Sequence, residues 1–243
     1  FISRGLDAMN YACYQDARFM IVGTPSGISL APEGGAHQSI GTPLIGISQP
    51  GLLSFEPAFA DELALIMNYG FNYLQDEAGG SIYLRLTTRS IDQPMREIDN
   101  ELKNNIIKGG YWLKKPGPNP EVIIVYQGAV AIEAIESTAL LGEKFKNSGV
   151  LSITSSDKLF HEWKNQNSTS HIELLLECVP RDTRIITVID GHPMTLSWIG
   201  SINGHKTIPL GVSSFGQTGK VEDLFKEFTI DSQSISNLGF SFN

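Results

Sequence analysis

Short apolar runs, FMIVGT, EVIIVYQG, GVLSITS, RIITVIDG and IPLGVS, constrain this chain more than any other feature of it. Each is nearly continuous rather than alternating, the pattern of a strand covered on both faces, as in parallel sheets flanked by helices. Segments of helical period lie between them. RGLDAMNYACYQDA places Leu6, Met9, Cys13 and Ala17 on one helical face. Pro57 opens AFADELALIMNYGFNYLQDE, whose apolar face includes Leu63, Ile66 and Met67, and SIYLRLTT (81–88) reads as a strand. Further helices are expected over AVAIEAIESTALLGEKF, over DKLFHEWKNQ with Asp157 as its cap, over PMTLSWIG and over VEDLFKEF. The pattern predicts an α/β fold in two consecutive domains, each a mostly parallel sheet flanked by helices. Residues 1–100 make the first. Residues 101–120, with Pro116, Pro118 and Pro120, read as a linker. Residues 121–243 make the second, expected to fold independently. The stripe Phe59, Tyr69, Phe71 and Tyr73 belongs to core or to a dimer interface.

Composition narrows the partners. The formal charge is −8, with no run of Lys or Arg, which disfavours nucleic acid and anionic membrane surfaces. No apolar stretch reaches the roughly 18 residues that a membrane span needs. Small molecules and proteins remain as ligands. Cys13 and Cys178 form no C-x-x-C pair and no secretion signal precedes them, so the expectation is a cytoplasmic protein with both thiols buried and inert. The Asn167-Ser168-Thr169 sequon has no role in that compartment. The chain opens on Phe1 with a helical pattern close behind it, which reads as a piece of a longer protein.

The stretch LAPEGGAHQSIGTP, residues 30–43, follows the first strand's carboxyl end, where ligands bind in open α/β sheets. It has no helical or strand period, and it carries one carboxylate, two adjacent glycines and one histidine. Glu33 and His37 are the candidate site residues, expected to share one cleft, and Gly34 and Gly35 permit close backbone approach and positive φ. Spacing alone favours a solvated turn. Gln38 and Ser39 read as capping residues. His161, His171, His192 and His205 lack ligand spacing, so no metal site is expected, and His192, in DGHP at a strand-to-helix turn, reads as a bystander. GQTGKV looks like part of a phosphate loop, but Ser214 stands where the first glycine belongs and Val221 where a Ser or Thr would hold magnesium. It reads as a turn.

The order helix, strand ending in G-T-P-S-G-I, then E-G-G-A-H-Q-S resembles the pyrimidine-binding domain of the transketolase-like thiamine diphosphate enzymes, whose loop runs roughly H-D-S-I-G-x-G-E-D-G-P-T-H-Q-P. The second half, with IPLGVSSFGQTGKVEDLFKEFTI, is similar to the C-terminal domain of the same superfamily. Within it, the chain looks most like the homodimeric decarboxylating first component of the pyruvate dehydrogenase complex, onto which residues 1–37 can be laid without a gap. Two positions depart from transketolase: Thr24-Pro25 replaces a His before D-S, and Glu56-Pro57 replaces R-P. An acid at position 56 is expected to repel a dianionic sugar phosphate.

The resemblance implies decarboxylation of pyruvate, a small 2-oxo acid, and transfer of the acetyl unit to a lipoyl group on an acyltransferase partner. Thiamine diphosphate and magnesium supply the chemistry and the protein orients and polarises. It implies that His37 donates to the substrate carboxylate or developing alkoxide, and that Glu33 orients it or holds water and the aminopyrimidine, with Gly34 and Gly35 against the cofactor. It also implies a homodimer. The activating glutamate and the G-D-G motif for diphosphate and magnesium are not in this sequence, so the isolated chain is expected to be incompetent. The alternatives are a transketolase-like transferase and a non-catalytic dimerisation or regulatory module.

Overall fold

The structure, a computed structural model, describes residues 2–165 and 167–241; Phe1, which opens the matched stretch, and Gln166, which closes an expected helix, lie outside them. Two sheets make up the chain. The first has three parallel strands in the order β1-β3-β2: β1 Met20–Gly23, β2 Leu52–Phe55 and β3 Ser81–Arg85. The helices of this part are α1 Leu6–Tyr14, α2 Thr42–Ser48 and α3 Ala60–Tyr73. Helix α4, Asn100–Lys108, then leads into β4, Gly110–Lys114.

The second sheet has five strands in the order β4-β6-β5-β7-β8, with β5 Val122–Gln127, β6 Gly149–Ile153, β7 Arg184–Ile189 and β8 Thr207–Leu210. Its helices are α5 Ala131–Leu141, α6 Ser156–Asn165, α7 His171–Leu176, α8 Met194–Ser197, α9 Val221–Glu227 and α10 Ser232–Phe240. All its strand pairs are parallel except β4 with β6. The central β5 is buried along its whole length, as its unbroken apolar run demands. Val122, Ile124 and Tyr126 face one hydrophobic cluster while Ile123 and Val125 face another, so both faces are covered. Each such side chain contributes roughly 1.5–3 kcal/mol by leaving water.

The stretch read as a linker is built differently. Residues 101–114 are helix and strand, and β4 is the antiparallel edge of the second sheet. Asp99 caps α4 by accepting from Leu102 N–H at 2.8 Å, and Gly109, at φ +114°, ends the helix in the left-handed conformation. The three prolines that prompted the linker reading follow β4, where the chain needs no further ladder hydrogen bonds. Residues 86–99, which lack regular structure, are pinned by two arginines. Arg89 pairs with both oxygens of Glu133 at 2.6 and 2.8 Å, and Arg96 grips both oxygens of Asp61 at 2.8 and 2.9 Å while donating to Tyr111 Oη at 2.7 Å.

Other differences are local. Asp157 does not cap α6; Ser155 Oγ takes the Lys158 N–H at 3.1 Å, and Asp157 is buried with a different partner. Phe59 is buried and Tyr69 and Tyr73 stack on each other, but Phe71 points to solvent at 55% exposure. The expected strand 81–88 stops at Arg85.

Because β4 covers β6 and sends Trp112 against the second core, a fragment beginning at residue 98 should unfold cooperatively and at a higher temperature than one beginning at 121. Circular dichroism melts of the two fragments check this; equal midpoints would show that β4 adds nothing to the second sheet.

Candidate active site

The carboxyl ends of the two sheets meet. Arg85 is the last residue of β3, Glu56 follows β2, Gln127 ends β5 and Asp190 follows β7. All four are buried, Arg85 to 2% exposure and Asp190 to 0%. The Arg85 guanidinium forms an ion pair with Glu56 Oε1, donates from Nε to Thr42 Oγ1 at 2.9 Å, and donates from Nη2 to the Asp190 carbonyl at 2.8 Å. Gln127 Nε2 donates to Glu56 Oε2 at 2.9 Å, and the Glu56 backbone N–H reaches the Thr154 carbonyl at 2.8 Å. Burial raises the Glu56 pKa, against the pull of Arg85 and Gln127. Burial by itself would lower the Arg85 pKa, but the charges of Glu56 and Asp190 outweigh it, and the guanidinium holds its proton more firmly than usual. The acid at position 56 is therefore paired and buried rather than free, and the expected repulsion of a phosphate by Glu56 does not hold.

The glycine loop lies over this junction. Residues Ile28–Glu33 form a 3-10 segment, and Ile28 and Ala31 are buried in the core of the second sheet beside Leu224 and Phe225 of α9. Glu33 and His37 are both exposed on the loop, and among the described residues neither side chain has a hydrogen-bond or ion-pair partner. The backbone ties them locally, with His37 N–H donating to the Gly34 carbonyl at 3.0 Å.

The glycine pair makes a close approach, to another part of the chain. A Cβ on Gly35 would strike the Gly216 carbonyl, and one on Gly34 would lie 2.7 Å from Thr218 Oγ1. Gly34 has φ +82°, a conformation that favours glycine. The turn GQTGKV is thus the floor of the loop. Gln38 is not a cap: it is 1% exposed and its Nε2 donates to the Gln217 carbonyl at 2.8 Å. Ser39 Oγ donates to the His37 carbonyl at 3.3 Å, and α2 starts after Gly41 with Pro43 in its first turn. His192 N–H donates to the Ile40 carbonyl at 2.8 Å.

The remaining histidines and cysteines are dispersed. His171 Nε2 meets the Gly110 carbonyl at 2.8 Å and His205 Nδ1 meets the Thr183 carbonyl at 3.1 Å, both buried. Burial lowers the His171 pKa. Among the described residues no group of three or more His, Cys, Asp or Glu side chains could hold a metal ion, and no helix is long and apolar enough to cross a membrane. Cys13 is buried as expected, but Cys178 is exposed, on a groove of about 680 Å³ between α4, β4 and α7 that also holds Lys108 and His171. That groove contains neither Glu33 nor His37.

Arg85, Gln127 and Asp190 are not among the candidate residues that the sequence suggests. Their signal was present: in SIYLR, VIIVYQ and RIITVID a polar or charged residue closes an apolar strand at its carboxyl end, where α/β sheets place their sites.

Two helix-flanked, mostly parallel sheets joined at their carboxyl edges define an α/β protein of the transketolase fold. A transketolase from Leishmania mexicana superposes with a TM-score of 0.78 at 17% identity, covering 99% of this chain and 32% of that one. A split-gene transketolase, solved as an inactive beta4 tetramer, gives 0.70 at 16% identity over 98% of this chain and 71% of that one. The family described as "Transketolase-like TK C-terminal domain" matches residues 109–231, and the chain belongs to it. That match includes β4. The pyruvate dehydrogenase E1 component of Buchnera aphidicola subsp. Baizongia pistaciae is 28% identical over 232 residues, 91% of this chain and 26% of the relative. Transketolase 1 of Escherichia coli K12 is 25% identical over 236 residues, 95% of this chain and 33% of the relative. The chain thus spans about a quarter to a third of these relatives' lengths.

Two consequences are measurable. Arg85→Met strands the Glu56 carboxylate in a buried site and should cost about 3–5 kcal/mol, read as a lower urea midpoint, with Glu56→Gln added to it recovering part of the loss. Asp157, 3% exposed, accepts the Ser54 N–H at 2.8 Å, and burial lifts its pKa from the usual 3.8 to about 6. The folded chain then holds that proton more tightly than the unfolded one. This group's contribution is full below about pH 3.8 and is lost as pH rises through about 6. Asp157→Asn should flatten stability against pH between 4 and 6; an unchanged slope across that window would exclude Asp157 as its source.

Proposed function

We propose that this chain is the C-terminal part of a thiamine diphosphate-dependent 2-oxo acid dehydrogenase component of the pyruvate dehydrogenase E1 type, working as a cytoplasmic homodimer. The observation that carries the reading is the pair of exposed, internally unpartnered side chains, Glu33 and His37, on a rigidly seated loop at the carboxyl edge of two parallel sheets. The similarity to E1 components over 91% of the chain supports the same reading.

The residues present fit one side of the cofactor. An exposed imidazole and carboxylate four residues apart suit a substrate and an aminopyrimidine, both of which offer polar atoms to pair. No acidic cluster among the described residues suits magnesium, so the diphosphate and its metal are assigned to the diphosphate-binding domain of the complete enzyme. The cofactor, when bound, supplies the electron sink for loss of carbon dioxide. His37 donates a hydrogen bond to the substrate carboxylate before cleavage and to the oxygen on which negative charge develops. Glu33 accepts from water or from an amine of the bound cofactor beside it. In the complete enzyme the oxidant would be the lipoyl disulfide of an acyltransferase partner, whose S–S bond is reduced as the two-carbon unit is oxidised to an acetyl thioester on one of its sulfurs.

A transketolase-like transferase is the second reading. It is favoured by one observation, the neutralisation of Glu56 by Arg85, which removes the charge that would have turned a phosphosugar away.

The complete enzyme, assayed for pyruvate decarboxylation and for ketol transfer between sugar phosphates, separates the two. Decarboxylation is the expected activity, and His37→Ala should lower its turnover by about 100-fold or more while cofactor affinity, measured by calorimetry, stays nearly constant. Ketol transfer without decarboxylation would establish the second reading, and an unchanged turnover in His37→Ala would remove the catalytic role of this histidine.

A further inference from the structure

The junction contains a carboxylate that faces away from solvent altogether. Asp190, at the carboxyl end of β7, is 0% exposed, so it cannot touch a substrate that enters from outside. Its Oδ1 accepts the Ile28 N–H at 2.7 Å and its Oδ2 accepts the Ser29 N–H at 2.9 Å. Those two amides open the 3-10 segment that ends at Glu33, and the first N–H groups of a helical turn have no partner within it. A carboxylate taking both is a charge-assisted clamp. Gly27 leaves room for it: its φ is +77°, and a Cβ there would fall on the Asp190 carboxylate. The other side of the loop is held by the same unit, through Gln38 Nε2 on the Gln217 carbonyl and His192 N–H on the Ile40 carbonyl, each at 2.8 Å. Between these two attachments the segment carries Glu33 and His37, both exposed.

We infer that Asp190 is a positioning residue: the second sheet sets the placement of Glu33 and His37 through this carboxylate, across a sequence separation of more than 150 residues, without contact to substrate. This inference rests on the functional reading above and names the device that makes the loop competent. It also assigns the C-terminal unit a part in the chemistry, as the template on which the loop of the first sheet is seated.

The test uses Asp190→Asn, which keeps the shape and one acceptor but turns an amide group toward the second N–H, alongside Asp190→Ala. Each is made alone and with His37→Ala in the complete enzyme. Asp190→Asn should lower kcat by about 10- to 100-fold, the scale of a small misplacement of catalytic groups, with a much smaller change in KM. In the His37→Ala background the same substitution should add little, because the group it positions is gone. An equal loss of turnover in both backgrounds would mean a merely structural role and would overturn the inference. Hydrogen exchange judges the clamp without any activity: in Asp190→Asn the Ile28 and Ser29 amides should lose protection while β5 and β7 keep theirs. Retained protection at those two amides would overturn it as well. Should Asp190→Ala not fold, Asp190→Asn carries both measurements. If His37→Ala has unchanged turnover the catalytic reading falls, and the exchange result still decides whether Asp190 holds the loop.

Discussion

One guanidinium stands where the two sheets meet, and the rest of the junction is arranged around it. Arg85 leaves β3 at its carboxyl end and finds the Glu56 carboxylate, the Thr42 hydroxyl and the Asp190 carbonyl. An arginine so buried would be costly without partners, and its planar fork suits several oxygens at once. Two carboxylates, Glu56 and Asp190, strengthen the guanidinium's hold on its proton. The Ile28 and Ser29 amides meet the Asp190 carboxylate on one side and Gln127 meets Glu56 on the other. The pairing thus couples β2, β3, β5 and β7 through polar contacts. A purely apolar interface would bury the same area but would not fix which residues face which.

That coupling changes what the glycine loop is. In isolation, E-G-G-A-H is a flexible turn whose glycines suggest a ligand. In the folded chain, the glycines are the points at which one unit's loop sits directly on the other's backbone, at Gly216 and beside Thr218. The loop is closely packed because its small residues allow it, and Glu33 and His37 stay exposed on it. On the proposed function, such an arrangement preorganises the site: the cost of ordering the segment is met during folding rather than when a ligand binds. The neighbouring contacts of Asp157 with Ser54 and of Ser155 Oγ with the Ser54 carbonyl at 2.6 Å seat β2 on the second unit by the same kind of polar anchoring.

The irregular stretch between the sheets follows the same logic. Its composition suggests a spacer, yet Arg89 and Arg96 each reach a buried or half-buried acid and an aromatic ring, with Arg89 4.7 Å from the Phe225 ring centroid and Arg96 5.1 Å from that of Tyr111. A segment without helix or strand can be ordered by a few bidentate arginines, because each offers several donors in one rigid plane. Proline and glycine content reports where regular hydrogen bonding stops. It does not report whether the chain is loose.

Period and punctuation determined much of this protein from sequence alone. The continuous apolar runs at Val122, Gly149 and Arg184 form buried strands, since a run without alternation has no face to give to water, whereas the run at Met20, expected to be covered on both faces, forms an edge strand with Val22 47% exposed. The helices at Ala60, Ala131 and Val221 followed from their apolar stripes, and the glycine loop stood out as a candidate because it had neither period. Short elements escaped: α2, β2 and α7 carry too few residues for a period to register, and β4 was obscured by the prolines behind it. The partners escaped for a different reason. Nothing local in SIYLR or RIITVID says that Arg85 will meet Glu56 and Asp190, or that Asp190 will take amides more than 150 residues earlier. Those pairings depend on two sheets docking at their carboxyl edges, and docking is decided by the summed burial of many apolar side chains and by the charges that then have to be neutralised together. The sequence carried the residues of the candidate site; only the tertiary structure decided that Glu33 and His37 would be exposed while Arg85, Gln38 and Asp190 would be buried.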